Sequence, residues 1–82
     1  MSPSVRRFAV LGFETTHDAV TAERVLLGAG VAVLLIPTPK VLGALCGLAA
    51  RVGESDRFRA RSVLEEAGIV VSGEAEIEDR VG

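Results

Sequence analysis

The sequence predicts an α+β fold of the ferredoxin-like βαββαβ type, a four-stranded antiparallel sheet in order 4-1-3-2 with two helices on one face. Three observations lead there. "VLLGAGVAV" (Val25–Val33) aligns with "VLEEAGIVV" (Val63–Val71) at an offset of 38, and the same offset matches Asp18 with Asp56 and Ala22 with Ala60. Each copy reads as the end of an amphipathic helix, a glycine stop and a β-branched run, so the chain holds two strand–helix–strand units. Right-handed crossovers make the two strands of each unit parallel and leave room between them for one strand of the other unit.

The elements follow in order. "VRRFAVLGF" (Val5–Phe13) supplies the first strand. Thr15 and Thr16 offer hydroxyls to cap the first helix, and Asp18 complements its positive end. Ala22, Val25, Leu26 and Ala29 then fall at i, i+3, i+4 and i+7, one apolar face. Gly30 ends that helix, because a left-handed cap residue is easiest without a Cβ. "VAVLLI" (Val31–Ile36) is the second strand, and the repeat places the third over Cys46–Val52. The second helix starts near Ser55–Asp56, presents Ala60, Val63, Leu64 and Ala67, and stops at Gly68. "IVVSG" (Ile69–Gly73) is the expected fourth strand. The whole chain, 1–82, reads as a single domain with its core over 5–73. The acidic stretch 74–82 reads as a C-terminal extension that prolongs an edge strand, pairs with another subunit or frays.

Composition narrows the function classes. The chain is 49% apolar with three Phe and neither Trp nor Tyr, so Val, Leu, Ile and Ala must build the core. A net charge of −2 gives no basic footprint for nucleic acid. One Cys and one His exclude an intrachain disulfide framework and a closed zinc site, and no cofactor motif is present. "GAG" at Gly28–Gly30 ends a helix instead of following a strand, so it is no dinucleotide loop. The longest apolar run, Val25 to Ile36, is too short for a bilayer, and no signal peptide is visible, so no membrane contact is expected and the cytoplasm is the expected location.

The chemistry concentrates in "LIPTPKVLGALCG", Leu35–Gly47, which holds two of the three prolines and the only cysteine. Two prolines make a stiff turn. In the predicted topology Cys46 opens the third strand, near Phe13–Asp18 and next to Pro37–Lys40. A helix N-terminus favours an anion, and Lys40 and His17 add cationic or hydrogen-bonding support, while Glu14 and Asp18 oppose it. The competing reading is that Cys46 packs as a small hydrophobe between Leu45 and Leu48. Gly43 and Gly47 keep the approach to the sulfur uncrowded, and a glycine within a strand marks a bulge or close approach.

Thr16, His17, Asp18, Ala19, Ala22 and Glu23, then Ile36-Pro37-Thr38-Pro39-Lys40, then Cys46-Gly47 carry a resemblance. In this order and spacing the stretch Thr16–Val52 resembles the putative selenium/sulfur carrier-like proteins, a family of small bacterial domains. "LGALCG" departs from the serine-rich lead to the cysteine in that family, so hydroxyls near the sulfur are absent. The resemblance implies a thiol, Cys46, that accepts sulfur or selenium as a persulfide or selenylsulfide and hands it on. It also implies donor and acceptor proteins as partners, selenium or sulfur metabolism as the setting, and a carrier in preference to a turnover enzyme. Thr16, His17, Thr38, Lys40 and Gly47 are the candidate ligand-binding residues around the thiol. The alternative is a non-enzymatic ferredoxin-like module that binds a small ligand or a protein, with a structural cysteine; a homodimer is compatible with either reading.

Overall fold

The computed structural model describes residues 4–81; residues 1–3 and Gly82 of the expected single domain lie outside them. The element order is β1 (Ser4–Gly12), α1 (Thr16–Gly28), β2 (Val33–Pro37), β3 (Leu48–Gly53), α2 (Arg57–Glu66) and β4 (Gly73–Val81), with short 3-10 turns at Lys40–Leu42 and Glu54–Asp56. The sheet order is β2-β3-β1-β4, which is 4-1-3-2 read from the other edge, and every neighbouring pair is antiparallel. The α+β class and the sheet order are therefore those the repeat predicts.

The repeat holds down to single hydrogen bonds at the helix ends. Val31 N donates to Leu26 O and Gly30 N to Leu27 O; 38 residues on, Ile69 N donates to Leu64 O and Gly68 N to Glu65 O. This double closure is a Schellman cap, and it needs a left-handed residue at its corner. Gly30 and Gly68 sit there with φ of 78° and 76°. The caps bring Val31 onto Leu26 and Ile69 onto Leu64, feeding the chain back toward the core.

The core lies between the sheet and the two helices. Ala9, Leu11 and Phe13 on the β1 side, Ala50 and Val52 of β3, Ala19, Ala22 and Leu26 of α1, and Ala60 and Leu64 of α2 form one buried cluster. Val25, Ala29 and Val63 are half-buried against it, whereas Ala67, expected in the apolar face, is exposed beyond the end of α2. The alanines let the helices approach the sheet closely, which suits a chain with so few aromatics. Arg59 of α2 ties the helices together by donating to Ala29 O at the end of α1.

The fourth strand is displaced from its expected place. Ile69–Ser72 is an irregular link, with Ile69 and Val71 packed on the core and Val70 exposed. The strand itself is Gly73–Val81, so the acidic stretch forms the body of β4 at the edge of the sheet, the first of the three fates the sequence leaves open for it. It pairs with β1 along its full length, Gly73 opposite Gly12 and Val81 opposite Ser4. β3 pairs with β1 only from Phe8 to Gly12, so Ser4–Arg7 and Glu78–Val81 form a two-stranded arm beyond the sheet. The molecule measures 43 × 28 × 16 Å. Among the described residues no helix is long and apolar enough to cross a membrane.

Candidate functional site

Cys46 lies in the last residues of the link between β2 and β3, two residues before β3 begins; the predicted strand there starts late. Its N–H donates to Phe13 O at 3.0 Å, just past the end of β1 and two residues out of the β1–β3 register, in which Phe13 would face Leu48. Its carbonyl accepts from Thr38 Oγ1 at 2.6 Å, and Thr38 N donates to Gly47 O at 3.0 Å. The backbone of Cys46 is thus held from both sides, by the exit of β1 and by the exit of β2. α1 starts three residues after Phe13, so this anchorage borders the turn into that helix.

The thiol is half-buried and packs against the core cluster. Its Sγ donates to Leu48 O at 3.0 Å, a bond that only the protonated sulfur makes. Both sequence readings of this residue therefore find an observation: the backbone is held where two loops meet, and the side chain is packed like a small hydrophobe.

The remaining candidates are distributed unevenly. Thr15, and not Thr16, caps α1: its side chain accepts from Asp18 N at 3.0 Å. Thr16 and His17 occupy the first two helical positions, exposed, and their amides have no acceptor within the helix. Thr38 is the residue bonded directly to Cys46. Lys40 opens the 3-10 turn Lys40–Leu42, which packs against β4 on the face of the sheet away from the helices, whereas Cys46 packs on the core side. Gly47 lies outside β3, so it is no bulge; it is exposed, and a Cβ there would meet nothing within 4 Å. Gly43 is different, because its φ of 75° favours glycine.

Two features had no counterpart in the sequence reading. Thr38 bonds the Cys46 carbonyl, although Thr-Pro by itself signals only a turn. Leu42 and Leu45 lie over Gly12 and Gly73 on the helix-free face, so the link from Thr38 to Gly47 wraps under the sheet as a strap. The signal available was the unexplained glycine at the end of a buried strand, Gly12. On the same face, at the other end of the sheet, Arg6, Phe8, Leu34 and Arg51 line a groove of about 360 Å³, with the Arg51 guanidinium 4.1 Å from the Phe8 ring. Among the described residues no group of His, Cys, Asp and Glu is arranged to hold a metal ion.

No curated protein and no solved structure gives a significant match to this chain. The family described as Putative Se/S carrier protein-like matches residues 8–76, from the middle of β1 into β4 and including Cys46. That span covers both strand–helix–strand units and well over half of the sequence, and the chain therefore belongs to the Putative Se/S carrier protein-like family.

Proposed function

We propose that the protein carries sulfane sulfur, or selenium at the same oxidation level, on Cys46 between a donor and an acceptor protein. The observation that supports this is the anchorage of the chain's single thiol: Phe13 O and Thr38 Oγ1 fix the Cys46 backbone at the turn into α1. The step is a transfer without net oxidation. Cys46 loses its proton to solvent or to the departing donor and attacks the terminal sulfur of a donor persulfide. A new S–S bond forms at Sγ, the donor's S–S bond breaks, and the donor leaves as a thiol. Reaction requires the bond to Leu48 O to break, since a thiolate cannot donate it. The free amides of Thr16 and His17 and the side chain of Thr38 are the groups proposed to orient the loaded persulfide; Lys40, in the turn on the opposite face of the sheet, is not among them. A cytoplasmic location and homodimer formation belong to the same proposal.

The test is direct. The protein is incubated with a low-molecular-weight persulfide and weighed intact. The expected result is a gain of one sulfur atom, removed by dithiothreitol and absent in Cys46→Ser. No gain, or an equal gain in Cys46→Ser, ends the carrier reading.

A second reading has its own observation. The packing of Cys46 on the core and its bond to Leu48 O favour a structural cysteine in a small-ligand or protein-binding module. Cys46→Ala separates the two: in the module it costs stability and spares binding, whereas in the carrier it abolishes loading whatever its effect on stability.

A further inference from the structure

We propose that the strap Thr38–Gly47 is a gate on the thiol, held shut by Leu42 and Leu45 seated on the paired glycines Gly12 and Gly73. The proposal rests on the reading of Cys46 as the reacting group.

Gly12 and Gly73 face each other across β1 and β4, so their missing side chains leave one notch on the helix-free face. A Cβ at Gly12 would stand 2.6 Å from Leu45 Cδ1 and 3.0 Å from Leu42 Cδ1; at Gly73 the same leucines would be 3.1 and 3.4 Å away. The leucines thus fill the space that two side chains would take. Leu45 immediately precedes Cys46, and the two side chains point to opposite faces, one into the notch and one against the core. Where Leu45 sits therefore decides how deeply Cys46 is held.

The strap has the construction of a unit that can lift. Its tip bonds internally, Leu42 N to Pro39 O, Gly43 N to Lys40 O and Leu45 N to Gly43 O, and the backbone bonds at its two ends are those of Thr38 and Cys46. Gly43, at a φ of 75°, provides the turn between the two leucines. The tip is attached to the sheet by apolar contact, which has no directional requirement and reforms readily. Leu42 and Leu45 are only half-buried, and Val41, next to Leu42 in the chain, is 79% exposed. A donor protein that engages the strap from outside would displace the leucines and free the sulfur.

The experiment measures alkylation of Cys46 by iodoacetamide in the folded full chain. Gly73→Ala puts a methyl into the seat, and the double variant Leu42→Ala/Leu45→Ala removes what occupies it. Each is expected to raise the rate about tenfold, the factor that follows from weakening the closed state by about 1.4 kcal/mol. Gly28→Ala, where a Cβ meets nothing within 4 Å, is expected to leave the rate unchanged. A folded Gly73→Ala or leucine variant that alkylates at the parent rate overturns the gate. If Gly73→Ala does not fold, the leucine pair decides. Alkylation reads the gate without any sulfur transfer, so failure of persulfide loading with seat-dependent alkylation would remove the carrier and leave the gate standing.

Discussion

At the scale of single residues Thr38 is one of the two anchors of the Cys46 backbone, and it is the residue to change. Its Oγ1–H···O bond to Cys46 is part-buried and 2.6 Å long, and Val is its near-isostere without the donor. Thr38→Val is expected to cost about 1 kcal/mol in urea unfolding, the usual worth of one such bond plus the carbonyl left short of a partner. Stability equal to the parent would show that water replaces the bond freely. Alkylation of Cys46 should rise in the same variant, because the residue loses one of its two anchors. Much of this neighbourhood was legible beforehand. A repeat plus handed crossovers put Cys46 beside Phe13 and the Pro-Thr-Pro turn. Its depth was not legible, because a half-buried sulfur and an exposed one have the same sequence neighbours, and only the strap distinguishes them. Nor could spacing reveal that Lys40, two residues past Thr38, is carried to the other face.

At the scale of elements the helices stop where glycine lets them. Gly30 and Gly68 occupy the left-handed corner of matching caps, where any L side chain meets its own carbonyl. Gly30→Ala and Gly68→Ala should each lower stability by about 1–2 kcal/mol. Gly47→Ala, at an ordinary φ and with open space around the Cβ, should fall within about 0.5 kcal/mol of the parent. Chemical denaturation of the three variants checks the contrast, and equal losses in all three would refute the assignment of strain to φ. The caps were readable because glycine, the preceding apolar spacing and the repeat all agreed. The fourth strand was not, because two signals competed. Ile69–Val71 has the β-branched composition of a strand but is spent on the cap contact and on the core. Glu74–Glu78 has the alternation of an edge strand yet the composition of a solvated tail, and edge strands are where charge is tolerated. Backbone pairing to β1 won over side-chain preference.

At the scale of the whole molecule the question is what keeps that acidic strand in place. Its side chains make several ion pairs, Glu74 with Arg57 and Arg61 and Arg7 with both Glu76 and Glu78, at 2.6–3.7 Å. All are solvent-accessible to a substantial degree, and such pairs are worth about 0.2–1 kcal/mol each. Among the described residues β4 contributes nothing to the buried core. What it does contribute is the ladder to β1, whose Ala9, Val10 and Leu11 are buried on both faces as in a central strand. Removing β4 would turn β1 into an edge, expose one side of its backbone and take Gly73 from the seat of the strap. Two variants separate backbone from charge. Glu74→Ala, which removes two of these pairs, is expected to cost no more than about 2 kcal/mol and to keep a cooperative melt. A chain ending at Ser72 is expected to lose the cooperative transition in circular dichroism altogether, because a domain of this size has little stability to spare. If that shortened chain melted cooperatively near the parent temperature, β4 would be an appendage after all, and the strap would have to hold Cys46 with half of its seat missing.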